Sequence, residues 1–238
     1  MIDPLTMMEA AMLGDTERLR VTGHNLANTG TLAFKREIAL MRPGFEAALQ
    51  SSAALIPSAP ITTTAVDGKG GALRLTSNPL DVALEGDGFF VLAGPSGPVY
   101  TRQGNFQLDP RGRLVGVSGY PVMGDAGEIV LPSADPRIDA QGNVWDGQNP
   151  VSRLRVVSFE NASELESLGA GVFSAANAAS SPVENVNIRQ GFVEVSNISA
   201  MHEMVKLIEI MRHFEASQRM LKAYDAMNGT ALSTLGTL

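Results

Sequence analysis

The sequence predicts a mainly β fold with one long α-helix at each terminus. Residues 4–27 and 198–227 carry apolar side chains at helical spacing. Residues 66–193 instead alternate short β-prone runs with turns rich in glycine, proline and aspartate. A β-rich body that carries a helix from each end is an architecture for assembly. We therefore expect a central all-β domain plus N- and C-terminal helices that pair and pack as coiled-coil-like assembly elements.

The composition of the 238-residue chain excludes several classes of partner. A formal net charge of −7 argues against nucleic acid and against an anionic membrane surface, which both attract basic proteins. The chain has no cysteine, so disulfides and thiolate metal sites are excluded. No apolar run is long enough for a transmembrane helix, and no basic segment precedes an apolar one. We expect no membrane insertion and no cleaved signal peptide.

The N-terminal helix and the turn after it form the first predicted segment, residues 1–46. Its apolar residues follow one heptad seam, namely Leu5, Met8, Met12, Leu19 and Leu26. Asp15 and Thr22 interrupt this seam, and Gly14 and Gly23 each cost about 1 kcal/mol relative to alanine. Such a helix is marginal alone and becomes ordered against a partner. The partner is either its own domain or another subunit.

The C-terminal segment, residues 194–238, contains the stronger helix, which Asn228-Gly229 is expected to end. One apolar face comprises Met201, Met204, Val205, Ile208 and Met211. An adjacent stripe comprises Leu207, Met211, Phe214 and Leu221. A helix that is apolar on two faces meets more than one neighbour. Its charged residues, from Glu203 to Asp225, alternate in sign. We interpret them as a solvated face, with charge register between packed copies as the alternative.

Between the helices, residues 47–65 form an uncharged stretch rich in Ala, Ser, Thr and Pro, which predicts a linker. Residues 66–193 form the predicted β-rich domain. Asp109-Pro110-Arg111-Gly112, between two β-prone runs, is a strong hairpin signal. A short helix is expected near Ser163–Leu168.

The sequence offers no catalytic constellation. Gly68-Lys69-Gly70-Gly71 lacks the spacing of a phosphate-binding loop. The three histidines lie on the two helices without a ligand partner at metal-binding spacing. We therefore expect no enzymatic activity, no catalytic residue, no metal site, no cofactor and no small-molecule substrate.

Three sequence blocks carry a recognisable signature. The first contains Asn25, Leu26, Ala27 and Asn28, followed by Phe34 and Lys35. The second contains Asn78, Pro79, Leu80 and Asp81, followed by Gly86, Asp87, Gly88, Phe89 and Phe90. The second block continues through Tyr100–Phe106. The third block runs from Gln190-Gly191 to Phe214-Glu215-Ala216. In this order the blocks resemble the bacterial flagellar rod and hook protein family. One departure is Ala33, where that family usually has glycine before the aromatic residue.

This resemblance implies a structural subunit of the flagellar basal-body rod in the periplasm. Such subunits leave through the flagellar type III export apparatus without a cleaved signal, and they stack with themselves and other rod proteins into a hollow drive shaft. Arg212-His213-Phe214-Glu215 is similar to the proximal-rod members. A distal-rod or hook subunit is the alternative within the family. A secreted binding module with an oligomerisation stalk is the alternative from another class, although 5% aromatic content weighs against it.

Overall fold

The computed structural model describes residues 4–42, 61–133, 135–160, 165–175, 179–183 and 185–235. The chain divides into two compact units. We call the first the helical unit, which comprises Met1–Ala27, Glu37–Thr64 and Ser199–Leu238. The second is the β unit, which comprises Asn28–Arg36 and Ala65–Ile198. Residues 28–36, which follow the first helix, therefore belong to the β unit. The sequence-based prediction placed them in one segment with that helix, residues 1–46.

The helical unit contains two long helices, α1 from Pro4 to Ala27 and α2 from Ala200 to Leu235. Strand β1, Glu37–Arg42, pairs with β2, Ile61–Val66, whose last two residues belong with the β unit. Strand β2 begins inside the predicted linker, and residues 47–60 of that linker lie outside the described ones.

Helix α2 does not end at Asn228-Gly229 as the sequence predicted, but continues to Leu235. No proline follows the glycine to block the next turn. Beyond it, threonine hydroxyls donate to carbonyls one turn back, from Thr230 to Ala226 at 2.9 Å and from Thr234 to Thr230 at 2.8 Å. One glycine costs only about 1 kcal/mol within a helix, which is too little by itself to end it.

Short antiparallel strands build the β unit. They are β3 Leu73–Leu75, β4 Val82–Leu84, β5 Phe89–Gly94, β6 Gly97–Thr101, β7 Gln107–Leu108, β8 Leu114–Val115, β9 Met123–Gly124, β10 Gly127–Glu128, β11 Arg137–Ile138, β12 Asn143–Asp146, β13 Asn149–Arg153, β14 Val156–Phe159, β15 Glu166–Gly169, β16 Val172–Ser174, β17 Ser180–Pro182, β18 Ile188–Gln190 and β19 Phe192–Glu194. The largest sheet has the order β15-β16-β6-β5-β14-β17. β11, β12 and β13 form a three-stranded sheet, and β3–β19, β4–β18, β7–β8 and β9–β10 form pairs.

Strand β5 lies between two hydrophobic clusters, because successive side chains on a strand point to opposite faces. Phe90 and Leu92 enter the larger cluster, where the Phe90 ring meets that of Phe106 edge-on at 5.2 Å. Phe89 and Val91 enter the smaller cluster on the other face, where Phe89 meets Phe173 at 5.9 Å. The adjacent phenylalanines of the second sequence block therefore serve two separate cores.

The short helix expected near Ser163–Leu168 is absent where the structure describes this segment, since Glu166–Gly169 forms β15. Residues 163 and 164 lie outside the described residues. Strand β15 pairs with β16 across the Gly169-Ala170-Gly171 turn, in which all three residues have positive φ. Pairing to a neighbouring strand overrides the weak helical preference of this stretch.

Two hairpins of the β unit share one turn design. In the turn between β7 and β8, the Asp109 carboxylate accepts hydrogen bonds from the N–H groups of Arg111 and Arg113 at 2.8 Å each. In the turn between β11 and β12, the Asp139 carboxylate accepts hydrogen bonds from the N–H groups of Gln141 and Asn143 at 3.0 and 2.9 Å. In both turns a glycine with positive φ follows three residues after the aspartate. The hairpin predicted at Asp109 is thus present, and a second one repeats it.

Candidate functional site

Helices α1 and α2 contact each other, and each carries a row of buried and half-buried residues spaced alternately three and four apart. On α1 the buried and half-buried positions in this pattern are Met8, Met12, Asp15, Leu19, Thr22 and Leu26. On α2 they are Glu203, Leu207, Ile210, Phe214, Ser217, Leu221 and Tyr224. We call these two rows together the inner seam. Positions three and four apart lie on one helix face, so this spacing keeps a single face of each helix on the other.

Asp15 is a carboxylate in the middle of this apolar seam. Its side chain is 2% exposed, and it contacts the ring of His213 on α2 and the guanidinium of Arg18 at 3.5 Å. The side chains of His213 and Arg18 remain 62% and 48% exposed, so both partners of the carboxylate stay in contact with solvent. A buried carboxylate needs such partners because an unpaired one costs several kcal/mol.

A second face of α2 is exposed in the part of the helical unit that the structure describes. It consists of Met201, Met204, Val205, Ile208 and Met211, which we call the outer stripe. Their side chains are between 46% and 78% exposed. A continuous row of five exposed apolar side chains is unusual on a soluble monomer and is typical of binding surfaces.

Near the start of α1 and the second half of α2 the two helices leave an apolar groove of about 410 Å³. Its lining residues are Leu5, Glu9, Met12, Leu13, Thr16, Phe214 and Leu221. Leu5 and Leu13 are 38% and 53% exposed, so the rim of the groove is apolar and open. The helical unit therefore presents a groove as well as a stripe.

Two side chains at the end of α1 hold strand β1. The Asn25 side chain donates a hydrogen bond to the carbonyl of Glu37 at 2.8 Å and accepts one from the N–H of Glu37 at 2.9 Å. Two residues of paired β-strands exchange hydrogen bonds in the same way. His24 lies 3.2 Å from the carboxylate of the same residue. Asn25 of the first sequence block is therefore a structural residue that joins the helix to the strand.

In the β unit, the three sequence blocks converge on a buried ion cluster. The carboxylate of Glu194 accepts hydrogen bonds from the ammonium of Lys35 at 2.7 Å and from the guanidinium of Arg102 at 2.9 Å. The N–H of Gly71 donates to the same carboxylate at 2.7 Å. The three charged side chains are between 1% and 4% exposed. Burial lowers the pKa of Lys35, and the charge of Glu194 partly offsets that effect.

The remaining contacts of this cluster are with the backbone. Lys35 donates to the carbonyl of Lys69, and Arg102 donates to the carbonyl of Gly88, each at 2.7 Å. Asn197 accepts the N–H of Arg36 at 2.8 Å and donates to the carbonyl of Lys69 at 3.0 Å. These bonds attach residues 28–36 to the β unit.

The second and third blocks also meet directly. Strand β4 pairs with β18, and Asp81 accepts the N–H of Gly191 at 2.7 Å through its backbone carbonyl. Asn78 donates to the carboxylate of Asp81 at 3.0 Å, which closes the turn before β4. Gln190 donates to the carbonyl of Pro79 at 2.7 Å. The polar residues of these blocks thus build the fold of the β unit.

The predicted interface residues divide into two groups in this structure. Met8, Met12, Leu19, Leu26, Leu207, Phe214 and Leu221 lie in the inner seam. Leu5, Met201, Met204, Val205, Ile208 and Met211 are exposed. Ile210 and Tyr224 also lie in the seam, and the apolar pattern at steps of three and four could have identified them.

The interpretation of the charged residues of α2 as a wholly solvated face is wrong for Glu203, which is 1% exposed. It lies in the first turn of the helix, where a carboxylate interacts favourably with the helix dipole. Arg102, Glu194 and Asn197 stand within the sequence blocks, but their structural roles could not be predicted, because their partners are distant along the chain.

Within the described ranges, no group of three or more His, Asp or Glu side chains is placed to hold a metal ion. No helix in the part of the chain that the structure describes is both long and apolar enough to cross a membrane.

Comparison with known proteins decides the family. Residues 83–145 match the model described as the flagellar hook protein FlgE/F/G D1 domain, and residues 189–234 match the flagellar basal body rod FlgEFG protein C-terminal model. The chain is 32% identical to the flagellar basal-body rod protein FlgG of Buchnera aphidicola, over 95% of this chain and 97% of that protein. The chain belongs to the flagellar basal-body rod protein family.

Two further members of the family carry the other rod name. The rod protein FlgF of Salmonella typhimurium is 33% identical over 89% of each chain. The FlgF protein of Mesorhizobium japonicum is 29% identical over 100% of this chain and 99% of its own. The protein is therefore a structural subunit of the flagellar basal-body rod. The resemblance seen in the three sequence blocks is confirmed.

Proposed function

We propose that this protein is a proximal-rod subunit that polymerises helically through its helical unit, without catalysis, cofactor or small-molecule substrate. One observation carries the proposal. The inner seam covers one face of each helix within the subunit, while the outer stripe of α2 remains exposed. A second copy or another rod protein would bury this stripe, and about 25 cal/mol per Å² of buried apolar surface would favour that contact.

Polymerisation into an open shaft requires two different surfaces on each subunit, because a contact between identical patches closes into a dimer. The outer stripe and the apolar groove are two such surfaces. We further propose that the helices pack in coiled-coil fashion within the shaft. The heptad spacing of the inner seam supports this packing.

We also propose that the protein reaches the periplasmic rod through the flagellar type III export apparatus, without a cleaved signal. This part of the proposal rests on family membership. The proximal position rests on Arg212-His213-Phe214-Glu215 and on the relatives named FlgF. The relatives named FlgG support the distal alternative.

The substitution Ile208→Asp tests the assembly surface. Ile208 is 52% exposed, so the aspartate is hydrated in the free subunit and loses that hydration only when the stripe is covered. We expect a folded protein that does not enter the rod, with loss of motility. Gln218→Asp is the matched control, since it adds the same charge at an exposed position of α2 outside the stripe. Normal motility with Ile208→Asp would refute the assembly surface.

Met8→Asp is expected to abolish assembly as well, but for a mixed reason. Met8 is half-buried in the inner seam, so the new carboxylate also weakens the contact between α1 and α2 inside the subunit. Ile208→Asp is therefore the more specific test.

Electron microscopy of basal bodies after deletion of the gene tests the position in the rod. We expect a rod that stops short near the inner membrane, with neither hook nor filament. A truncation near the outer end would assign the distal role. Complete flagella would refute a rod function altogether.

A further inference from the structure

The oxidisable side chains of this protein are concentrated on its helices. The sequence has eleven methionines, no cysteine and one tryptophan. Six methionines of α1 and α2 are between 46% and 78% exposed, namely Met7, Met201, Met204, Met211, Met220 and Met227. By contrast, Met8 and Met12 are half-buried in the inner seam, and Met123 is half-buried against the smaller core of the β unit.

Three of these exposed sulfurs lie in the outer stripe. Met201, Met204 and Met211 make up three of its five side chains, and Met201 is the most exposed of them at 78%. The other two members, Val205 and Ile208, carry no oxidisable atom. The polarity of this surface therefore depends on the oxidation state of three thioethers.

A thioether reacts readily with peroxides. The sulfur lone pair attacks one peroxide oxygen, the O–O bond breaks, and an S–O bond forms. Sulfur is oxidised by two electrons and keeps the attacked oxygen. The proton of that oxygen passes to the departing hydroxide, which leaves as one molecule of water. The product, methionine sulfoxide, is polar and disrupts methionine-rich contact surfaces.

We propose that the outer stripe is an oxidation-sensitive modification site, at which hydroperoxides convert Met201, Met204 and Met211 to sulfoxides in the free subunit and so prevent its docking. This inference rests on the proposed function of the stripe. Each sulfoxide that loses its hydration on docking weakens the contact about tenfold. A subunit that has already docked is protected, because its sulfurs are covered. A thiol-dependent sulfoxide reductase reverses the modification.

Peptide mapping by mass spectrometry tests the chemistry independently of assembly. The full chain, at a concentration at which it is monomeric, is treated with hydrogen peroxide for increasing times. We expect Met201 to gain oxygen about tenfold faster than Met123, because the reaction follows exposure. Equal rates at these two residues would overturn the proposal.

Substitutions test the consequence for docking in a bacterium that lacks its own copy of the gene. Replacement of Met201, Met204 and Met211 together by glutamine, which is polar and of similar length to the sulfoxide, is expected to stop rod assembly. Replacement of the same three by leucine keeps the stripe apolar and is expected to preserve it. The matched control is glutamine at Met220 and Met227, which are each 63% exposed on the same helix but outside the stripe.

The leucine variant also provides the decisive comparison under oxidation. With sublethal hydrogen peroxide present during rod assembly, we expect fewer new basal bodies with the native protein than with the triple leucine variant. Equal numbers would overturn the proposal. If Ile208→Asp blocks assembly but the triple glutamine variant assembles normally, the proposed oxidation site is refuted and the proposed assembly function is supported. If Ile208→Asp assembles normally, the proposed function itself fails.

Discussion

Glu194 connects residues from all three sequence blocks. Its carboxylate holds Lys35 of the first block and Arg102 of the second, and it also accepts the N–H of Gly71. A buried ion pair can be no better than apolar packing of the same shape, but removal of one partner leaves an uncompensated buried charge. The cost of a substitution here therefore depends on whether charges are left behind.

We expect Glu194→Gln to lower the free energy of unfolding of the β unit by about 3–5 kcal/mol, because two buried cations lose their counter-charge. Urea unfolding followed by fluorescence of Trp145, which lies in β12, measures the change. Glu85→Gln is the control, since Glu85 pairs with Arg189 while both side chains are more than 40% exposed. That pair should contribute less than about 1 kcal/mol. Equal losses would contradict the expectation.

Ala33 adopts a backbone conformation that favours glycine. Its φ angle is 51°, in the left-handed region, and its N–H donates to the carbonyl of Glu194 at 2.8 Å. Glycine, which the resemblance implies at this position, would adopt this conformation without strain. Ala33→Gly should therefore raise the free energy of unfolding by up to about 1 kcal/mol, through relief of strain. Thermal unfolding measures the effect, and a loss of stability would show that the strain is negligible.

Among the elements of the β unit, the two aspartate turns link its stability to acid. Burial alone would raise the pKa of Asp109 and Asp139, but the hydrogen bonds donated by Arg113 and Asn143 outweigh it, so both pKa values fall below the ordinary 3.8. A carboxyl with a lowered folded-state pKa stabilises the fold above its unfolded pKa. That contribution is lost as the pH falls through the folded value.

The double variant Asp109→Asn with Asp139→Asn should be less stable than the native protein at about pH 7. The difference should close as the pH falls through the lowered folded-state pKa values, where the native carboxyls are also protonated. Urea midpoints across this range measure the gap. Asp87→Asn, at an exposed turn, is the control. A gap that stays constant with pH would show that these carboxylates do not act through their charge.

The contact between α1 and α2 contains a polar residue that the subunit does not need for packing. Asp15→Leu extends the apolar seam, while His213 and Arg18 stay in contact with water, since both are about half exposed or more. We expect the helical signal in far-ultraviolet circular dichroism to melt at a higher temperature, with a gain of up to about 2 kcal/mol. Glu17→Gln is the control, because it removes a carboxylate of α1 that pairs with Arg20 outside the seam. A lower melting temperature would show that the contact with His213 is net stabilising.

For the whole molecule, local patterns predicted the helices, the β-rich centre and the hairpin at Asp109, because those features depend on neighbours within a few residues. Apolar residues spaced three and four apart likewise predicted that Met8 and Phe214 lie at a helix contact. The sequence did not predict the strand at Glu166, since strand pairing there overrides local preference. It also did not predict the cluster around Glu194, because three distant segments must meet before those charges have partners.

The division of the chain changes how its β unit can be isolated. Residues 28–36 belong to this unit, and Lys35 within them supplies one cation of the buried cluster. A fragment of residues 66–193 lacks Lys35 and Glu194, whereas residues 28–198 retain both. We expect the shorter fragment to unfold at a lower urea concentration by Trp145 fluorescence. Equal midpoints would show that residues 28–36 contribute nothing to the stability of the unit.

The bond between Lys35 and Glu194 joins residues 159 positions apart in the chain. A ribosome adds residues from the N-terminus at about 5–20 per second, so the lysine waits many seconds for its carboxylate. During that time the β unit has no way to close, whatever the stability of its finished form. Helix α2 follows Glu194 in the chain, so it is made after the cluster can close. Until Glu194 has been added, Lys35 has no carboxylate to pair with.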